Sequence, residues 1–253
     1  ISSVAEDASI VVVDRDYQRV QRQWRNEVAT SLDCPLHQVE TNVIVPIETA
    51  SQREEYTAGT LRPKIHRILE DYLVPLRNQP IKYPSEGYSF DGIDLNDIDV
   101  VLGKIKTRKT GTQKISFKGG TDNAKKQLKK FIYQDLEVFG DFRNDPARNR
   151  LSNMSPYLHF GQISPLQIAL EVKKANNPGT ETFLEELIIR RELSMNFVFY
   201  NQNYDNFECL PNWAKETLEL HSFDEREYSY SYTELENAET HDRVQLHRAD
   251  QRQ

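Results

Sequence analysis

Apolar residues in the first third of the chain follow two alternating periodicities. Residues 10–13 read IVVV, a β-branched run typical of a buried parallel strand. Val20, Trp24 and Val28 then recur every four residues, as on one face of a helix. Residues 39–46 predict a second strand and residues 60–73 a second helix.

Strands that alternate with helices form parallel, doubly wound sheets. The pattern therefore predicts an α/β unit over residues 1–76 that has too few strands for a complete sheet. A small, self-sufficient α/β unit is the alternative interpretation.

Helical spacing dominates beyond residue 119. In the segment GGTDNAKKQLKKFI, the positions of Ala124, Leu128 and Phe131 predict an inward face. We expect a partial α/β domain at residues 1–76, a linker at 77–118 and a mostly α-helical domain at 119–253.

Charge is distributed unevenly along the predicted linker. Residues 81–100 are acidic and rich in Gly, Pro and Tyr, and they lack the Gly and Glu spacing of an EF-hand, so a solvated linker is favoured over a calcium loop. Residues 101–132 hold ten basic residues against one acid, Asp122. Such a basic stretch is either a solvated face or a contact with DNA.

Composition narrows the remaining possibilities. The net charge of −7 does not suggest a general nucleic-acid binder, so any contact with DNA requires a local patch. Two distant cysteines fit a reducing, intracellular compartment, and no run is long and apolar enough for a membrane span. We find no metal-ligand spacing, no nucleophile–base pair and no Walker loop.

One motif, LSNMSPYLHFGQIS at residues 151–164, begins with helix-capping residue types. A helix start of this kind leaves backbone N–H groups free to bind an anion such as a pyrophosphate. A capped helix without a ligand is the simpler interpretation.

A second motif, FLEELIIRRELSMNFVFY at residues 183–200, places a carboxylate–arginine cluster within an apolar helix. Glu186 and Arg190 are four residues apart, so an ion pair along one helix is the structural interpretation.

Together the two motifs closely resemble the cofactor domain of class II cyclobutane pyrimidine dimer photolyases, in the photolyase/cryptochrome family. The resemblance implies light-driven splitting of pyrimidine dimers in DNA by an electron from reduced FAD. It also implies a chain that lacks the front of the family's antenna domain and its last flavin-binding helices. The tail after Asp242 matches nothing in the family.

The resemblance also assigns the site residues. It places the flavin-binding residues at Phe139, Leu151, Ser152, Asn153, Met154 and Ser155. Phe139 stands where the family has a tyrosine, and Met154 where leucine is usual. Glu186 would face the dimer as the catalytic carboxyl, kept protonated by burial, and Arg190 and Arg191 would bring positive charge to the lesion. The resemblance gives Asn196 and Tyr204 no firm role.

Three function classes follow from these observations. The first is a photolyase with activity impaired by its short length, the second a cryptochrome-like photoreceptor that binds flavin without repair. The third is a flavin-free module that binds DNA or another protein.

Overall fold

A computed structural model describes residues 4–77, 79–84, 92–94, 96–104, 117–145 and 147–224. The residues outside these ranges include three stretches. They are residues 105–116 of the basic stretch, part of the acidic stretch near residue 91 and the tail after residue 224.

The α/β part contains a two-stranded parallel sheet. Strand β1 spans Val11–Asp14, helix α1 spans Arg19–Thr30 and strand β2 spans Leu36–Val39. Val11 is paired with Leu36 in the parallel register. The predicted partial α/β fold is thus confirmed.

The second strand lies earlier than the predicted 39–46. Residues 43–45 are buried without joining the sheet, because the Ile44 and Val45 amides donate to the carboxylate of Glu192 instead of to a neighbouring strand. The apolar run at 39–46 therefore indicated burial correctly, but it did not indicate which group accepts hydrogen bonds from its backbone amides.

The apolar stripe of α1 does not face a core. Trp24 is 59% exposed, Val20 is also exposed, and α1 contains no buried residue. The predicted helix is present, but its apolar face is open to solvent.

The remaining elements are helical and follow in chain order. They are α2 (Ile47–Ala50), α3 (Ala58–His66), α4 (Leu69–Tyr72), α5 (Ile98–Lys104), α6 (Thr121–Gln134), α7 (Phe139–Phe142), α8 (Ser155–His159), α9 (Pro165–Ala175), α10 (Thr180–Leu184), a π-helical segment (Glu185–Arg190), α11 (Arg191–Tyr200), a 3-10 turn (Phe207–Cys209) and α12 (Asn212–Leu220). The helix predicted at 60–73 is divided between α3 and α4. No described helix combines the length and the apolar character needed to cross a membrane.

One apolar core joins the two parts of the chain. As predicted, Ala124, Leu128 and Phe131 of α6 are buried. They belong to the same cluster as Val45 and Leu61, from the segment that follows the sheet. Residues predicted to lie in the first domain therefore pack directly on the helical part.

Candidate functional site

The first motif forms a tight loop before α8. The helix begins at Ser155, and Met154 occupies the cap position without a side-chain cap. Asn153 has a left-handed backbone with φ 55°, a conformation that asparagine tolerates better than most residues. Its Nδ2 donates to the Leu151 carbonyl at 3.2 Å, and the Ser152 hydroxyl accepts from the Met154 amide at 3.4 Å. The predicted side-chain cap is therefore absent, and Ser152 and Asn153 instead stabilise the loop before the helix.

Helix α6 holds this loop in place. Nε2 of Gln127 donates to the Ser152 carbonyl at 2.9 Å, and the Tyr157 hydroxyl donates to the Lys118 carbonyl at 3.0 Å. These bonds join the motif to the basic segment that precedes it in the chain.

An open groove of about 440 Å³, here called the lysine groove, lies between the loop and α6. Its lining residues are Phe117, Lys118, Asn123, Lys126, Gln127, Lys130, Asn149, Asn153 and Tyr157. Among the described residues, three lysines, several amide side chains and two aromatic rings line it, and no acid does. The groove is therefore suited to an anion that carries aromatic or apolar parts.

Two of the predicted cofactor residues lie beneath the surface. The ring of Phe139 packs at centroid distances of 5.6 Å from Phe131 and 5.4 Å from Phe183. Met154 is likewise buried. Leu151 and Ser155 are exposed, and Ser152 and Asn153 are partly exposed. The structure thus brings the four outer residues to the rim of one loop and places the other two in the core under it.

The second motif contains a π-helical segment, which changes the pairing of its charges. A π-helix makes i to i+5 hydrogen bonds, so residues five apart come into register. Arg190 accordingly lies 3.5 Å from Glu185, five residues earlier. Glu186 instead faces Nε of Arg143 at 3.6 Å. The ion pair expected between Glu186 and Arg190 is therefore replaced by two others.

Glu185 is held from a second side by Arg62 of α3. The guanidinium donates to both carboxylate oxygens, at 3.1 and 2.6 Å, and this two-point bond lowers the pKa of Glu185. Arg62 lies 123 residues away in sequence, so only the folded chain reveals this contact.

The exposure of Glu186 differs from the expectation of a buried acid. Its side chain is 41% exposed in this chain, and it does not line the lysine groove. Arg143, directly after α7, faces Glu186, and Phe139 at the start of α7 belongs to the same core cluster as Met154 of the loop.

The two arginines of the motif point in different directions. The Arg190 side chain is 58% exposed. The Arg191 side chain is half-buried, donates a short hydrogen bond to the Asn42 carbonyl and has its pKa lowered by that burial. The structure therefore places Arg190 beside Glu185 and Arg191 beside the segment that contains Asn42.

Sequence reasoning missed Glu192, which is only 3% exposed. Its carboxylate accepts from the Ile44 amide at 2.6 Å and from the Val45 amide at 3.4 Å. Burial raises the pKa of Glu192 to about 7, against the lowering effect of those two bonds and of Arg191. Its position directly after two arginines in sequence gave no sign of burial.

The described residues contain no candidate metal site. Within the described ranges, no group of three or more His, Cys, Asp or Glu side chains could hold a metal ion.

Comparison with known proteins agrees with the resemblance of the two motifs. The family model of DNA photolyase matches residues 3–84. A deoxyribodipyrimidine photo-lyase of Methanothermobacter thermautotrophicus is 48% identical over 240 residues, which are 94% of this chain and 52% of that protein. A deoxyribodipyrimidine photo-lyase of Oryza sativa is 35% identical over 93% of this chain and 49% of its own length.

Solved structures show the same fold. The cryptochrome of Synechocystis sp. PCC6803 superimposes with a TM-score of 0.57 at 15% identity, over 88% of this chain and 50% of that one. The chain spans about half the length of the curated relatives it matches. The chain is therefore similar in sequence to deoxyribodipyrimidine photo-lyases over most of its length, and its first part matches the family model of DNA photolyase.

Proposed function

We propose that this protein acts in light-driven DNA repair and splits cyclobutane pyrimidine dimers by electron transfer from reduced FAD. The observation that carries the proposal is the lysine groove beside the motif loop, in a chain 48% identical to a deoxyribodipyrimidine photo-lyase. Membership of class II, an intracellular location and domain bounds at 1–76, 77–118 and 119–253 are parts of the same proposal.

The fit of FAD to these residues can be judged from the chemistry of the groove. A pyrophosphate requires positive charge and hydrogen-bond donors, which Lys126, Lys130 and the amide of Asn153 offer. Ser152 and Ser155 would add hydroxyls from the same loop as Asn153, while Phe139 and Met154 would contribute to the core cluster that the loop belongs to. FAD, when bound in its reduced form, supplies the electron after excitation by light.

The protein's own contribution concerns the lesion. Glu186 would donate a hydrogen bond from its carboxyl to a thymine carbonyl, and Arg190 would attract the DNA backbone. The Glu186 side chain is 41% exposed and faces Nε of Arg143 at 3.6 Å, so a bound dimer could contact it directly.

FAD binding provides the first test, with a control on the same helix. We expect the double variant Lys126→Gln/Lys130→Gln to bind FAD about ten-fold more weakly, because it removes two cations from the groove. The matched variant Lys125→Gln/Lys129→Gln changes the opposite side of α6, where those lysines line a different cavity. Quenching of flavin fluorescence measures both affinities, and equal affinities in the two variants would exclude the lysine groove as the cofactor site.

Repair of a dimer-containing oligonucleotide provides the second test. We expect light to restore the thymines in the presence of protein and reduced FAD, and Glu186→Ala to slow this about ten-fold, because alanine cannot donate the proposed hydrogen bond to the thymine carbonyl. Glu181→Ala, at an exposed position of α10, serves as the control. Flavin binding with dimers left intact would instead favour the cryptochrome-like photoreceptor, and a colourless protein with salt-sensitive DNA binding the flavin-free module.

A further inference from the structure

A small cavity of about 190 Å³ lies at the carboxyl ends of the two parallel strands. Its lining residues are Arg15, Asp16, Arg22, Arg25, Asn26, Gln38 and Phe199. Crevices at this end of a parallel sheet are common ligand sites. The volume is below that of a site for a drug-sized molecule, so a ligand of a few atoms fits it best.

Two of its guanidinium groups, those of Arg22 and Arg25, form no salt bridge with a described residue. Arg25 donates to the Asp16 carbonyl at 2.5 Å and to Oε1 of Gln38 at 3.2 Å, both of which are neutral oxygens. Arg22 donates to the Phe199 carbonyl at 3.4 Å. In the part of the chain that the structure describes, neither arginine forms a salt bridge. Most of the N–H donors of both groups therefore stay available.

The other charges around the cavity do not neutralise this pair. Arg15 is held by Glu40 at 2.9 Å and Glu48 at 2.7 Å, and Oδ1 of Asp16 accepts from the amide of Asn42 at 3.1 Å. Burial lowers the pKa of Arg25, as do the charges of Arg15 and Arg22, while Asp16 opposes the shift. Positive charge thus exceeds negative charge at the cavity wall.

We propose that this cavity, the arginine pocket, binds a small tetrahedral oxyanion of the phosphate type, either free or as the phosphomonoester of a small molecule. Guanidinium groups match the oxygens of phosphate in two-point geometry, and Arg22 and Arg25 contribute two such groups. The bound anion would reduce the repulsion between the two cations. This inference stands on different residues from the lysine groove and does not depend on FAD.

The test is a calorimetric titration of the purified chain with inorganic phosphate at constant ionic strength. We expect saturable binding, weakened about ten-fold in Arg25→Gln by loss of one charged contact. Arg67→Gln, at an exposed arginine on the end of α3, should bind phosphate as the original chain does. Arg22→Gln, at an exposed position of α1, provides a second variant should Arg25→Gln fail to fold.

A second titration with adenosine monophosphate separates the two sources of the anion. Binding of both ligands with the same loss in Arg25→Gln supports a phosphomonoester site, and binding of phosphate alone supports a site for the free ion. Absence of saturable binding, or an equal loss in Arg67→Gln, would overturn the proposal.

Discussion

Replacing Gly179 by alanine is expected to destabilise the fold by about 3 kcal/mol or more. A Cβ atom on Gly179 would lie 1.6 Å from the carbonyl oxygen of Leu136 and 2.8 Å from its carbonyl carbon. The obstacle is backbone next to a fully buried leucine, so it cannot rotate away as an exposed side chain can. Gly179 itself has φ −83°, so the need for glycine comes from space rather than from conformation.

Urea unfolding followed by circular dichroism measures this loss. Gly140→Ala is the matched control, because its nearest neighbour would be Oγ1 of Thr182 at 3.6 Å, an ordinary contact. Gly140 also lies within α7, where alanine has the higher helix propensity. Unchanged stability of Gly179→Ala would mean that the segments around Leu136 and Gly179 separate at little cost.

Local patterns predicted much of the fold. The four-residue spacing of Ala124 and Leu128 indicated the buried face of α6, which the structure confirms. The same spacing in α1 failed for Trp24, because periodicity shows which residues share a face but not whether another element covers it.

The charge pairs of the second motif depend on its π-helical register, which residue spacing in the sequence does not reveal. Helical i to i+4 geometry predicts Glu186 beside Arg190, whereas the π-helical register pairs Arg190 with Glu185. The partners that hold the two carboxylates, Arg62 and Arg143, come from other helices. Only tertiary packing brings them there.

Asn196 and Tyr204, to which the sequence assigned no firm role, also form hydrogen bonds with residues distant in sequence. Oδ1 of Asn196 accepts from the Glu55 amide at 2.8 Å, and the Tyr204 hydroxyl accepts from the Arg19 amide at 2.8 Å at the start of α1. Each bond joins the α11 region to the first part of the chain across more than a hundred residues. The Asn196 bond thus fixes the backbone of Glu55 against α11, and the Tyr204 bond fixes the start of α1.

Glu192 is expected to make stability depend on pH in the opposite direction to an ordinary ion-paired carboxylate. Burial raises its pKa from 4.5 to about 7 in the folded chain. Between these values the folded state retains a proton that the unfolded state has lost. The contribution is therefore fully present below pH 4.5 and is lost as the pH rises toward 7, by about 3 kcal/mol in total.

Glu192→Gln should abolish this part of the pH dependence, because glutamine resembles the protonated acid at every pH and its carbonyl can accept from the Ile44 amide. Urea unfolding should be measured from pH 4.5 to pH 8. Over this range the free energy of unfolding of the variant should rise by about 3 kcal/mol relative to that of the original chain.

The groups that face Glu192 are Arg191, Tyr17 and Glu40. The exposed Glu219, replaced by glutamine, controls for the general effect of removing a carboxylate. A difference between the Glu192 variant and the original chain that stays constant with pH would show that the two backbone N–H donors and Arg191 outweigh burial, leaving Glu192 charged in the folded protein.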